Sequence, residues 1–136
     1  MRKIDKIIVH CSGTSEFQDF DITDIKDWHV NGNGWSDVGY HFIIKLDGTI
    51  QDGRPLQKIG AHVKGKNRSS IGICYIGGMN RDMTDWEDTR TEKQKESLLK
   101  LINDLKERFP NTIVYGHKDF TNKKLCPSFD AKNEYK

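Results

Sequence analysis

Ile4-Asp5-Lys6-Ile7-Ile8-Val9 decides the fold, because the run is short, apolar and rich in β-branched residues, a pattern that favours a buried strand over a helix. His10 stands at its exit. Thr112-Ile113-Val114-Tyr115 repeats the theme, with Gly116 allowing a tight backbone just before His117. If these two strands are parallel neighbours in one sheet, both histidines emerge at the same edge. Ligands of open α/β sheets gather there, at the carboxyl ends of the strands.

The elements between the two strands alternate. Asp21 to His29 reads as a short helix with Asp or Thr as its cap, ended by Gly32 and Gly34, and it carries His29. Tyr40 to Leu46, Asp47-Gly48 and Thr49 to Gln51 form a hairpin signal, since Asp-Gly tolerates the positive φ angles of a two-residue turn. Residues 53–70 are rich in Gly, Lys, Arg and Ser and read as a loop holding Gly60-Ala61-His62. A strand at 71–76 follows, with Cys74 as core. Thr91 and Gln94 make a capping box ahead of Leu98, Leu101, Ile102, Leu105 and Phe109, whose helical spacing gives one buried stripe, and Pro110 stops the helix. This order predicts a single α/β domain over residues 1–136, with a mixed central sheet of about five strands flanked by helices.

The residue types at the sheet edge suggest metal chemistry. Cys126 lies in Lys-Leu-Cys-Pro-Ser-Phe-Asp, residues 124–130, downstream of His117. Two imidazoles and one thiolate are a set that leaves zinc's fourth tetrahedral position open, which is a catalytic rather than a structural arrangement. Cys126 is preferred to Cys11 because successive strand side chains alternate, so if His10 faces the site Cys11 faces away. A plainer reading stays open at this level. A histidine at a strand end is often only hydrogen-bonded, a lone cysteine is often a small buried apolar group, and neither H-E-x-x-H nor C-x-x-C occurs.

Composition excludes other classes. The 136 residues carry 22 Lys and Arg against 20 Asp and Glu, so the net charge of +2 makes no case for nucleic acid as a partner. No stretch approaches the roughly 20 apolar residues needed to cross a bilayer, and the amino-terminal charge is followed by no apolar run, so neither a membrane span nor a signal peptide is expected. The odd count of three cysteines, without dense spacing, fits free thiols. Internal repeats are not visible.

Beyond these patterns, Ile7-Ile8-Val9-His10-Cys11-Ser12, the block Gly34 to Thr49 (GWSDVGYHFIIKLDGT), Gly60 to Asn67 (GAHVKGKN), Gly116-His117-Lys118-Asp119 and Cys126 to Asp130 together resemble the type 2 zinc-dependent N-acetylmuramoyl-L-alanine amidases. The likeness spans nearly the whole chain and is nearest to the short phage enzymes; peptidoglycan recognition proteins share that fold. The resemblance implies that His10, His117 and Cys126 bind Zn2+ and that Tyr40 and Lys124 are catalytic. It further implies that His62 lines the substrate groove. Zinc would polarise the amide carbonyl and activate water, Lys124 would stabilise the oxyanion, and Tyr40 would orient the water or pass a proton to the leaving nitrogen. Read without the resemblance, Tyr40 is an edge residue and Lys124, beside Lys123, is solvated surface. Lys124 is chosen over Lys123 because the family pattern keeps a lysine two positions before the cysteine. His29 and His41 are read as structural, His41 facing away from Tyr40.

The expected activity is hydrolysis of the amide between N-acetylmuramic acid and L-alanine in bacterial peptidoglycan, as in an endolysin of a phage or prophage. The expected protein is a monomer, made in the cytoplasm without a signal peptide and acting on the cell wall after release. The alternative is a peptidoglycan-binding protein of the same fold without turnover, from which Cys126 discriminates, since non-catalytic relatives typically lose that thiolate. A regulatory role through another protein is neither supported nor excluded by the sequence and would be addressed by a pull-down.

Overall fold

A computed structural model describes residues 2–16 and 18–136. In chain order the elements are β1 (Lys6–Cys11), β2 (Thr14–Ser15), α1 (Ile22–Asp27), β3 (Phe42–Ile44), β4 (Ile50–Asp52), β5 (Ser70–Tyr75), β6 (Gly78–Met79), α2 (Glu92–Arg108), β7 (Ile113–Gly116) and α3 (Ala131–Glu134). The main sheet has five strands in the order β4-β3-β5-β1-β7, and a small second sheet pairs β2 with β6. Only β3 and β4 run antiparallel within the main sheet, which makes it mixed, as the sequence predicts.

Strand β1 lies between β5 and β7, parallel to both, and its last five residues are buried. A strand covered on both faces needs apolar residues at successive positions rather than alternate ones, which is why Ile7-Ile8-Val9 is a continuous run. The faces then differ by parity. Ile7, Val9 and Cys11 join Ile71, Ile73 and Tyr75 of β5 in a core beneath Leu98, Leu101, Ile102 and Leu105 of α2. The even positions turn the other way: Cys74 meets Ile25, Val38, Ile43 and Ile76 in a second core on the α1 side. Each large apolar side chain buried in this manner contributes about 2 kcal/mol.

Several boundaries differ from the sequence expectation. β1 runs to Cys11, so His10 is inside the strand, where the ladder with Cys74 still has a partner to pair with. The register Val9↔Gly116 sets His117 level with His10 across the β1–β7 edge, so the two histidines are brought together by pairing rather than by both leaving strand ends. α1 covers only Ile22–Asp27, and the chain continues as a wider π-helical turn, Trp28–Gly32, that carries His29. β3 begins at Phe42, leaving Tyr40 just ahead of it, although Tyr40 and His41 carbonyls still accept from Arg54 and Gly53 amides. The loop at 53–70 ends in a short 3-10 turn, Asn67–Ser69.

The hairpin at Asp47-Gly48 forms by another turn. Gly48 N–H donates to Lys45 C=O at 2.9 Å and Lys45 N–H to Thr49 C=O at 2.9 Å, and of the Asp-Gly pair only Gly48 has positive φ, at 88°. This is a type I turn closed by a left-handed glycine, a three-residue connection rather than the two-residue turn that would need Asp47 at positive φ as well. Asp47 instead accepts from Thr49 N–H at 2.9 Å.

Candidate metal centre

The site forms where β1, the segment after β7 and the 124–128 loop converge. His10 comes from β1, His117 opens the 3-10 turn that follows β7, and Cys126 sits on the loop that crosses the end of β1. The loop is tied there by the Cys11 N–H, 3.1 Å from Cys126 Sγ, by Lys118 N–H donating to Cys126 C=O at 2.7 Å, and by the buried Tyr75 hydroxyl donating to Pro127 C=O at 2.6 Å. Ligating atoms of His10, His117 and Cys126 all lie within 4.8 Å of one another, near enough for small side-chain rotations to bring them onto one ion. Cys11 is not in this set; its side chain turns to the α2 core, with Sγ 3.9 Å from Ser128 Oγ.

The electrostatics of the trio suit a divalent cation. Burial lowers the pKa of His10 well below the ordinary imidazole value, with His62, His117 and Lys124 adding to the effect, and burial followed by Lys124 lowers that of His117. Both rings are therefore neutral, the form that binds metal. Burial pushes the Cys126 thiol up, with Cys11 contributing, so this sulfur needs an adjacent cation to become a thiolate. Two neutral imidazoles, one thiol and no carboxylate are a donor set that fits zinc.

His117 and Cys126 line a pocket of about 220 Å³ that also takes in Tyr40, His62, His29, Trp35, Trp86 and Lys124. The Tyr40 ring is 5.0 Å from that of His10, and burial, with the nearby cysteines, raises its phenol well above the usual tyrosine value, so it is an O–H donor at ordinary pH. Lys124 is exposed and lines the pocket, whereas Lys123 is exposed and does not. His62 Nδ1 is 2.8 Å from His10 Nε2, and His62 Nε2 is 3.2 Å from Ser70 Oγ. Burial pushes the His62 pKa down to about 3, so its ring is neutral.

The structure adds residues that sequence reasoning left out. His29, read as structural, accepts from Gly39 N–H at 2.8 Å, and its ring lies against Trp35 at 4.7 Å and Tyr40 at 5.4 Å, so it braces the pocket wall. Trp35 and Trp86 are brought to the same pocket from distant loops. The Gly34 to Tyr40 block carried a signal for Trp35; Trp86 had none. His41 faces elsewhere, as the alternation argument requires: its Nδ1 accepts from Gly72 N–H at 3.0 Å and its Nε2 lies 2.9 Å from Lys58 C=O. It borders a larger cavity of about 490 Å³ with Asp52, Arg54, Leu56 and Arg108, which holds none of the trio.

Comparison with known proteins gives one consistent answer. The family model described as N-acetylmuramoyl-L-alanine amidase matches residues 1–129. The endolysin of Escherichia phage T7 is 41% identical over 128 residues, covering 94% of this chain and 83% of that one. The endolysin of Enterobacteria phage T3 is 42% identical over 126 residues, covering 93% and 82%. Among solved structures, the N-acetylmuramoyl-L-alanine amidase LysC from Clostridium intestinale superposes with a TM-score of 0.81 at 29% identity, over 98% of this chain and 82% of that one. Bumblebee PGRP-SA gives 0.80 at 26% identity, over 98% and 81%.

Proposed function

The chain belongs to the N-acetylmuramoyl-L-alanine amidase family, and from that premise we infer how its pocket acts: His10, His117 and Cys126 hold one zinc ion, while Tyr40 and Lys124 work on the scissile amide. The reaction is hydrolysis of the bond between N-acetylmuramic acid and L-alanine in bacterial peptidoglycan, the wall-degrading activity of an endolysin. The observation that carries the metal assignment is the convergence of two imidazoles and a thiol from three separate segments at one end of the sheet. Bound there, zinc would supply a Lewis acid that polarises the carbonyl and makes water nucleophilic near neutral pH.

The remaining work falls to the chain's own groups. Lys124, two residues before Cys126, places a positive charge at the pocket where the tetrahedral oxyanion develops, an interaction worth about 3 kcal/mol when preorganised. Tyr40 keeps its proton and so can hold the attacking water by its phenol or deliver a proton to the leaving nitrogen. The tryptophans at the pocket offer flat apolar surface to the substrate and narrow the access of bulk water. The substrate is cell wall, and no described helix is long and apolar enough to cross a membrane. We take the active species to be a single chain.

The test is release of free amino termini from purified peptidoglycan, with and without a chelator. New amines that disappear with chelator and return with added zinc are the expected result. Wall binding without amine release would identify a non-catalytic binder of the same fold. Amine release by protein shown to be free of metal would remove zinc from the account.

A further inference from the structure

His62 is built into the protein in a way that its place on the pocket wall does not require. Its ring lies over β5 at Gly72, where a Cβ would come within 2.7 Å of His62 Cγ and 2.9 Å of His62 Nδ1, so the ring sits there only because that residue has no side chain. Gly60 makes room on another side, since a Cβ there would meet His62 Cδ2 at 2.8 Å. Asn67 Oδ1 fixes the backbone, accepting from both His62 and Val63 N–H at 2.9 Å. Both ring nitrogens are engaged within the protein, Nε2 with Ser70 Oγ and Nδ1 with His10 Nε2. No nitrogen is left for a ligand in the groove.

The chain Ser70···His62···His10 can carry its protons in two directions. In one, the Ser70 hydroxyl donates to His62 Nε2 and His62 Nδ1–H donates to His10 Nε2. The second nitrogen of a neutral His10 then bears its hydrogen, and no lone pair remains for a metal. In the other direction, His62 Nε2–H donates to Ser70 Oγ, His62 Nδ1 accepts from His10 Nε2–H, and His10 Nδ1 has its lone pair free. Only the second direction makes His10 a ligand. A metal-binding histidine typically gives its other N–H to an acceptor that sets tautomer and ring orientation.

We propose that His62 is a positioning residue for the metal centre: seated on Gly72 and oriented by Ser70, it accepts from His10 Nε2–H and so presents His10 Nδ1 to zinc. The inference rests on the zinc reading above and assigns His62 to the ligand rather than to the substrate. Its acceptor has to be aimed, which explains a ring held at both nitrogens and bedded against a glycine on the strand beside β1. The pair His10–His62 meets nearly edge to face, with ring centroids 4.8 Å apart and planes at 83°, as an in-plane bond from one ring into the edge of the other allows.

The test measures zinc affinity by chelator competition, with the visible spectrum of the cobalt-substituted protein as a second readout. His62→Leu removes the acceptor and should bind zinc about 10- to 100-fold more weakly, the usual effect of losing such a partner. His62→Asn places an amide oxygen where Nδ1 accepts and should recover most of that loss, with a cobalt spectrum like the parent's. Ser70→Ala should fall between the two. Gly72→Ala should resemble His62→Leu, because it displaces the ring while leaving all three proposed ligands. Nitrogen-15 shifts of the zinc-loaded parent supply a check independent of any variant's folding: His10 should carry its proton on Nε2, and a proton on Nδ1 would overturn the proposal. Equal zinc affinity in His62→Leu and the parent would overturn it while leaving the metal reading intact. Asn as weak as Leu would make the residue mere packing. A parent that binds no zinc would remove the metal assignment and this inference together.

Discussion

At the scale of single residues, the two lysines before Cys126 differ only in where the loop points them. Lys124 borders the pocket and Lys123 does not. If Lys124 stabilises charge that appears mainly in the transition state, Lys124→Ala should lower turnover by about 100-fold while zinc content and sedimentation with insoluble wall stay near the parent's. Lys123→Ala should change neither. Tyr40→Phe, which removes one hydroxyl and little packing area, should lose activity with metal retained. Activity lost in step with zinc in the Lys124 variant would mean that the lysine only supports the loop. The cysteines separate in the same way. Cys126→Ser should weaken zinc binding markedly, whereas Cys11→Ser should leave it near the parent's, because Cys11 reaches Cys126 Sγ through its backbone N–H, which serine keeps. Elemental analysis showing equal zinc in the two variants would refute the ligand set.

At the scale of elements, α2 is fastened to the sheet by its capping residue. Gln94 Oε1 accepts from Thr91 N–H at 2.9 Å, closing the capping box, while its Nε2 donates to the carbonyls of Ile44 at 3.2 Å and Ile76 at 3.0 Å. One fully buried side chain thus joins the start of a helix to the ends of β3 and β5. Thr91 adds a bond from its hydroxyl to Leu46 C=O at 2.7 Å. Gln94→Leu keeps the volume but strands the Thr91 N–H and the Ile76 carbonyl, and should cost about 2–4 kcal/mol, since each buried group left unpaired costs roughly 1–3 kcal/mol. Urea unfolding would measure it; a loss below about 1 kcal/mol would show that water or relaxation satisfies those groups. The S/T-x-x-E/Q pattern was readable from the sequence, but the second use of the same glutamine as a sheet anchor was not. It depends on two carbonyls 18 and 50 residues away.

At the scale of the molecule, buried histidine links stability to pH. His41 is almost fully buried, and burial, with Arg2 and Arg54 nearby, lowers its pKa to about 4 from an ordinary 6.5. The unfolded chain takes up a proton below pH 6.5 that the folded chain refuses until about pH 4, so stability is complete above 6.5 and declines as pH falls through that window. The loss from this group is about 1.4 kcal/mol per pH unit. Thermal unfolding of metal-free protein between pH 7.5 and 4.5 should show the decline, and His41→Gln should make it shallower without abolishing it, since the buried rings of His10 and His62 also resist protonation. A melting temperature that stays level across the window would contradict the buried neutral ring.

What the sequence by itself determined follows from local rules. The runs at 4–9 and 112–115 announce buried strands, Thr91 and Gln94 announce a helix start, and the amidase-like motifs single out His10, His117, Cys126, Tyr40 and Lys124. Strand alternation by itself separates His10 from Cys11. Pairing register lay beyond those rules. That Val9 stands opposite Gly116, and so His10 level with His117, is decided by long-range packing of both strands under α2 and α3. The hairpin shows the limit at short range: Asp-Gly permits two turn types, and the strands it joins select one. Trp86 and the Ser70–His62–His10 chain were invisible for the same reason, because each depends on residues tens of positions apart that touch only once the sheet has formed.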